Sequence, residues 1–262
     1  MRIAGLQKCS FVDYPGKLAA AVFTPGCNLD CFYCHNRRLL AGAARERIDP
    51  DDVLAFLAER QGLLDGLVVS GGEPTLQRGL ADFLRRVREL SGYAVKLDTN
   101  GTNPARLRRL VDAGLVDFVA MDVKAPLDGY EAICGRAVDT RAIEASIDLL
   151  LGGRVEYEFR TTLAPPLTAG DVMQIAVRIR GARRYAVQQY RRPQEARAAP
   201  ALPDPLPDAY VWACAEAARP FVQQCTVRGL KPVAARTSVA AGPVAAEARS
   251  LPPAAAQSPA IA

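Results

Sequence analysis

The sequence predicts an α/β fold built on a parallel sheet, and three features of its 262 residues point there. Short apolar runs alternate with amphipathic segments, the pattern of successive strand–helix units. Several runs are continuously apolar rather than alternating, as expected for strands covered on both faces. Turn and capping residues punctuate the boundaries between them. Half of the residues are hydrophobic and 23% are charged, a globular composition that excludes wholesale disorder.

The elements follow in order. Ala19–Thr24 is the first strand. Asp49-Pro50 supplies an N-cap with proline at the first helical position, and Val53, Leu54 and Leu57 then share one face. Leu67–Ser70 is the second strand. Leu80, Phe83, Leu84, Val87 and Leu90 form the stripe of the next helix, stopped by Gly92. Ala94–Asp98 is the third strand, and Asn103-Pro104 opens a helix with Leu107, Leu110 and Val111 inside and Gly114 after it. Val116–Met121 is the fourth strand, followed by a helix capped by Thr140 and carrying Ile143, Ile147 and Leu150. Glu156–Thr162 is the fifth. Val172, Ile175, Ala176 and Ile179 mark a helix ended by Gly181, and Tyr185–Tyr190 is the sixth strand. Six strands are too few for a complete eight-stranded barrel, so the pattern leaves a doubly wound sheet or a partial barrel. Residues 193–207 contain five Pro and read as a wrapping loop before a helix at Asp208–Ala218. From Val233 to Ala262 there are twelve Ala, four Pro and no aromatic residue, which predicts a disordered tail. The expected division is a core over 1–192, a Pro-rich wrap with a C-terminal helix over 193–232, and the tail over 233–262.

Lys plus Arg exceed Asp plus Glu by five, an excess too mild and too dispersed to imply nucleic acid. The apolar run from Leu18 to Thr24 is too short to span a bilayer or to direct secretion. A cytoplasmic protein with no membrane partner is therefore expected. In that reducing compartment the seven Cys read as metal ligands or buried small residues rather than disulfides.

A small polar cluster follows each strand. Residues 25–36 contain Cys27, Cys31 and Cys34; Gly71-Gly72-Glu73-Pro74 follows the second strand; Asp98-Thr99-Asn100-Gly101 ends the third; Asp122-Val123-Lys124 ends the fourth. Arg160, Thr162, Gln188 and Gln189 close the last two. In parallel sheets the ligand site lies at the carboxyl ends of the strands, so one face collects all of these residues. Each cluster alone has an ordinary reading: a strand-to-helix turn for Gly71–Pro74, a cap for Asp98–Gly101, a solvated cation for Lys124. The spacing CxxxCxxC is more specific. Structural zinc wants four ligands, and a second pair is missing; His35 is adjacent to Cys34 and poorly placed to complete a tetrahedron. Three thiolates in one loop suit one 4Fe–4S cluster with an open iron, with zinc or unligated buried thiols as the alternatives. Cys9, Cys134, Cys214 and Cys225 read as buried small residues. The Arg85, Arg86, Arg88 and Arg106, Arg108, Arg109 stripes read as solvated helix faces.

Cys27, Cys31 and Cys34, with Tyr33 before the third Cys, resemble the signature loop of the radical S-adenosylmethionine (SAM) superfamily. Gly71-Gly72-Glu73-Pro74 is similar to its methionine-binding motif. Phe11-Val12-Asp13-Tyr14-Pro15-Gly16-Lys17 and Cys34-His35-Asn36 resemble the glycyl-radical-enzyme activating group, above all the activating proteins of anaerobic (class III) ribonucleoside-triphosphate reductase. The likeness covers roughly residues 1–192. It implies a partial parallel (β/α)6 barrel and one 4Fe–4S cluster on the three Cys. It also implies reductive cleavage of SAM to a 5′-deoxyadenosyl radical, and hydrogen abstraction from a glycine of a partner glycyl radical enzyme. The implied electron donor is a flavodoxin or ferredoxin. The residues implied at the cofactor are Tyr33, Cys34, His35, Gly71, Gly72, Glu73, Asp98, Thr99, Asn100, Asp122, Val123 and Lys124. Lys124 is expected to meet the methionine carboxylate, and a monovalent cation is expected at Asp98, Thr99, Asp122 and the Ala120 carbonyl. No side chain is expected to act as acid or base. The competing readings are a radical SAM enzyme acting on a small molecule, similar to 7-carboxy-7-deazaguanine synthase, and a non-catalytic metal-binding module.

Overall fold

The computed structural model describes residues 1–40, 47–90, 92–193 and 202–231. The expected tail, 233–262, and residues 194–201 of the Pro-rich segment lie outside the described residues. Residues 1–230 form one compact unit. Its elements are β1 (Gly5–Ser10), β2 (Ala19–Thr24), α1 (Arg37–Leu40), α2 (Pro50–Glu59), β3 (Gly66–Gly71), α3 (Leu80–Glu89), β4 (Ala94–Thr99) and α4 (Pro104–Asp112). They continue with β5 (Phe118–Asp122), α5 (Tyr130–Cys134), α6 (Thr140–Leu151), β6 (Glu156–Leu163), α7 (Ala169–Arg178), β7 (Tyr185–Gln189), α8 (Asp208–Ala218) and β8 (Cys225–Arg228). The strands form a single sheet in sequence order; β1 is antiparallel to β2 and every other pair is parallel. Among the described residues β1 and β8 do not pair, so the sheet is an open, partial barrel.

All six expected strands are present, and two more flank them. β1 is largely exposed and polar, with no apolar period to mark it. β8 is only four residues long, yet it pairs with β7 and makes the segment after the Pro-rich loop part of the sheet. Val116 lies before β5 rather than in it. Asp49 and Asn103 cap α2 and α4 as expected, each accepting a backbone N–H. The cap of α6 is Asp139 rather than Thr140, because the Asp139 carboxylate accepts from Arg141 N. A capping box of Thr168 and Asp171 opens α7, which stops at Arg178, before Gly181.

The two faces of the sheet carry different chemistry. One, with Ala20, Val22, Leu67, Val69, Val95, Leu97, Val119 and Met121, packs under the helical stripes, each fully buried large side chain contributing about 1.5–3 kcal/mol. Alternate residues point the other way, where Tyr14, Ala19, Ala21, Val68, Phe118 and Ala120 form a small apolar plug. Further along this inner face the residues become charged: Lys96 and Asp98 on β4, Asp122 on β5, Glu158 and Arg160 on β6, Arg228 on β8. The plug closes one end; the charges line the other.

Candidate functional site

The chain from Pro25 to Asn36 crosses the carboxyl end of the sheet and is held by backbone bonds on three sides. Gly72 N donates to Thr24 O and Glu73 N to Gly26 O, both at 2.8 Å, while Asp30 N donates to Cys134 O at 2.8 Å. Asn36 Nδ2 reaches Gly71 O at 3.1 Å, and Arg37 binds both Asp30 Oδ1 (2.9 Å) and Cys31 O (3.2 Å). Glycine is required at the β3 turn. A Cβ on Gly71, whose φ is +114°, would lie 2.3 Å from Thr24 N, and one on Gly72 would lie 2.0 Å from Gly26 O. These glycines let two backbones touch.

Glu73 explains how the next loop is held. Its carboxylate is completely buried; Oε1 accepts from Thr75 N (3.0 Å), Thr75 Oγ1 (2.6 Å) and Thr99 Oγ1 (2.8 Å), and Oε2 from Asn100 N (2.7 Å). Burial raises its pKa, opposed by these four donors. Glu73 thus ties the β3 loop to the β4 loop, and Arg106 adds a clasp by donating to Thr75 O and Gln77 O. That use of Arg106 differs from the solvated face expected of it.

These loops surround a cavity of about 560 Å³, inside the roughly 300–1,000 Å³ range of small-ligand clefts. Cys27, Cys31, Tyr33, Cys34 and His35 line it from the β2 loop; Gly71, Gly72, Asp98, Thr99 and Asn100 line it from β3 and β4; Asp122 and Lys124 line it from β5. Two residues expected there do not line it. Glu73 is the internal tie just described, and Val123 is buried with its N–H bound to Arg160 O and its carbonyl to Thr161 Oγ1.

A ladder of charge forms the cavity floor. Asp98 Oδ1 accepts from Lys96 Nζ and lies 3.5 Å from Arg160, while Oδ2 accepts from Ser70 Oγ at 3.0 Å. Asp122 Oδ1 takes Arg160 Nε at 2.7 Å, and Oδ2 takes Lys124 Nζ at 2.9 Å. Glu158, almost fully buried, holds Arg228 through two bonds of 2.9 and 2.6 Å. Burial alone would raise both aspartates. Arg160 with Lys96 outweighs it at Asp98, and Arg160 with Lys124 at Asp122, so both carboxyls sit below the usual range. Lys124 is likewise driven further toward its charged form, burial being overcome by Asp122. The ladder carries one positive charge in excess, and the Lys124 ammonium stands 5.8 Å from the Tyr33 ring centroid. Lys96, Glu158 and Arg228 were not among the expected site residues.

The thiols differ in their surroundings. Burial pushes Cys27 up to about 11 and also raises Cys34. Cys31 is pulled below its ordinary value by the neighbouring Cys134 thiol, which is itself pushed up. Cys134 is a buried core residue as expected, like Cys214 and Cys225, and is also a neighbour of the cysteine loop; Cys9, expected to be buried, is exposed. Cys27 Sγ also accepts from Leu29 N at 3.4 Å and Asn100 Nδ2 at 3.7 Å, the N–H···S bonds that tune iron–sulfur sites. Cys27, Cys31 and Cys34 all line the cavity from one loop, and three thiolates in one loop suit a 4Fe–4S cluster with an open iron. Tyr33 and Gln189, which line the cavity from the β2 loop and from β7, each bury one side-chain oxygen that has no hydrogen-bond partner among the described residues. The residues present thus fit both a 4Fe–4S cluster and SAM.

Comparison with known proteins agrees with this geometry. A protein of Methanocaldococcus jannaschii named as a glycyl-radical enzyme activating enzyme is 35% identical over 197 residues, covering 72% of this chain and 79% of that protein. The pyruvate formate-lyase-activating enzyme of Clostridium pasteurianum is 29% identical over 173 residues, covering 64% and 70%. The crystal structure of Streptococcus suis SuiB aligns with a TM-score of 0.53 at 14% identity, over 66% of this chain and 40% of that one, a likeness of fold alone. Residues 21–179 match the superfamily of radical SAM proteins, so three Cys, a glycine turn and a charged barrel floor stand together for a known reason: the chain belongs to the radical SAM superfamily.

Proposed function

We propose that this protein is an activating enzyme that installs a glycyl radical on a partner enzyme, with anaerobic ribonucleoside-triphosphate reductase as the favoured partner. The observation that carries the reading is the likeness to two activating enzymes over most of their own length. Cys27, Cys31 and Cys34 would hold three irons of a 4Fe–4S cluster, with Leu29 N and Asn100 Nδ2 supporting the Cys27 thiolate. When bound, the cluster and SAM together supply one-electron cleavage of a carbon–sulfur bond and hence a carbon radical able to take a hydrogen atom.

The chain's own residues then bind and orient. The Gly71-Gly72 turn would present bare backbone to the methionine end, and Lys124, held by Asp122, would meet its carboxylate. Tyr33, Cys34 and His35 would lie at the adenine. No side chain needs to move a proton. A monovalent cation would sit at Asp98, Thr99, Asp122 and the Ala120 carbonyl, where the two carboxylates also accept from Lys96, Ser70, Arg160 and Lys124. The partner's glycine arrives on a flexible loop at the rim formed by Asp13, Gln188, Gln189 and Arg191. A flavodoxin or ferredoxin in the cytoplasm serves as donor; no helix among the described residues is long and apolar enough to cross a membrane.

The test is anaerobic. Reduced, cluster-loaded protein should cleave SAM slowly alone, and one 5′-deoxyadenosine should form per radical when the glycyl radical enzyme is added. The partner should show a doublet EPR signal that collapses on α-deuteration of the target glycine. Cleavage that responds to a small heterocycle and never to the protein would replace this reading with the small-molecule one.

A further inference from the structure

A second concavity, of about 550 Å³, also reaches the cysteine loop. Pro25, Gly26 and Cys27 line it from that loop, Leu76 to Gly79 from the segment between β3 and α3, and Arg2 from the segment before β1. Among the described residues Cys27 is the one that lines both this concavity and the cofactor cavity. In the reading above, SAM and the partner's glycine take up the cofactor cavity. An electron bound for a cluster on Cys27, Cys31 and Cys34 needs a short path, and the second concavity gives access to Cys27 without crossing either of them.

The surface there has a definite character. Arg2 and Arg78 are exposed, and no Asp or Glu is among the described lining residues. Arg106 adds a third guanidinium beside it, donating to Gln77 O at 2.8 Å. Leu76, 41% exposed, supplies apolar surface. The shape is also pre-formed: Gln77 Nε2 donates to Pro25 O at 2.8 Å, and Gln77 Oε1 accepts from Arg2 N at 3.4 Å. A rigid cationic surface with an apolar part suits an acidic protein in a brief encounter, where charge sets the rate of arrival. We propose that this concavity is the docking surface of an acidic one-electron donor protein, with Arg2 and Arg78 steering it to Cys27. One electron leaves the donor's reduced flavin or iron–sulfur group for the cluster, and the donor departs oxidised by one electron.

The inference rests on the activating-enzyme reading, and the experiment separates the two. Cluster-loaded wild type, Arg2→Glu, Arg78→Glu and a control on α6, Arg141→Glu, are mixed with reduced flavodoxin or ferredoxin, both acidic. The EPR signal of the reduced cluster is followed by rapid freezing at rising ionic strength, and calorimetry measures binding of the oxidised donors. Wild type and Arg141→Glu should be reduced equally fast, at a rate that falls steeply with salt. Arg2→Glu and Arg78→Glu should each be reduced about tenfold more slowly and bind the donor about tenfold more weakly, while a photoreduced deazaflavin reduces all four alike. Charge-reversed variants that match wild type with both donors overturn the inference, as does a wild type that neither donor binds or reduces. A dimer of this chain that Arg78→Glu dissolves in analytical ultracentrifugation would make a second copy the occupant, and overturns it too. If one variant fails to fold, the other and the salt response of the wild type still decide. Protein that takes its electron here yet never passes a radical to a glycyl radical enzyme sinks the proposed function and leaves the docking surface standing.

Discussion

Replacing Glu73 by Gln tests whether a buried carboxylate, rather than a cofactor ligand, holds the active face together. Four donors converge on this side chain, three on Oε1 and one on Oε2. A glutamine has one acceptor oxygen. Placed at the Oε1 position it keeps the Thr75 and Thr99 bonds, but its amide nitrogen then faces the Asn100 N–H, donor against donor. An orphaned buried N–H costs about 1–3 kcal/mol, and the three surviving bonds lose their charge assistance. Relief of the buried charge offsets part of this, which leaves a net loss of about 2–3 kcal/mol. For a folded unit of this size that corresponds to a fall in melting temperature of about 4–10 °C. Urea unfolding of the variant, followed by far-UV circular dichroism, gives the free energy directly, and an unchanged m-value shows that only stability moved. A loss below about 0.5 kcal/mol would refute the tie, because the Asn100 N–H would then have found another acceptor at no cost.

Three further outcomes follow from the same geometry. Gly72→Ala puts a methyl group 2.0 Å from Gly26 O, so the cysteine loop must shift; a loss of about 3 kcal/mol and poor cluster incorporation are expected, read by urea unfolding and iron analysis. Alanine at Cys27, Cys31 or Cys34 should each abolish the iron–sulfur chromophore while Cys134→Ala retains about four irons, and a Cys134 variant without iron would show that the Cys31 neighbour is itself a ligand. Asp98 and Asp122 have folded pKa values below their unfolded ones, so their stabilisation is complete above the unfolded value near 3.8 and is lost as pH falls through the lower folded values. Acid unfolding below about pH 4 should therefore be shallower in Asp122→Asn than in wild type, and equal slopes would remove Asp122 from the linkage.

Much of this fold was legible in the sequence because its strands are buried on both faces and announce themselves as apolar runs. β2 and β3 could be read that way, and the cysteine spacing marked the loop that follows β2. The exceptions share one cause. β1 is a mostly exposed edge and β8 is four residues long, so neither has enough apolar surface to leave a pattern. The cap of α6 was misplaced by one residue because Asp139 and Thr140 are adjacent and both are good cap formers.

The charged floor was legible in part. Lys96-x-Asp98 and Glu158-x-Arg160 each place opposite charges two residues apart within a strand, and period two puts both members on one face. A charge pair of that kind cannot face packed helices without partners, so the spacing alone marks the inner wall of a barrel. What a strand cannot reveal is which charge on the next strand it meets. Glu158 is adjacent to Arg160 in spacing, yet it binds Arg228 seventy residues away, while Arg160 turns to Asp122 and Asp98. That choice is set by register between strands, and register comes from the packing of the whole sheet. Cys134 is the same lesson at longer range: it has no CxxC partner in sequence, and only the docking of α5 beneath Asp30 brings its thiol to Cys31. The thiols that sequence identifies are those sharing a loop; the groups that tune them come from elsewhere in the chain.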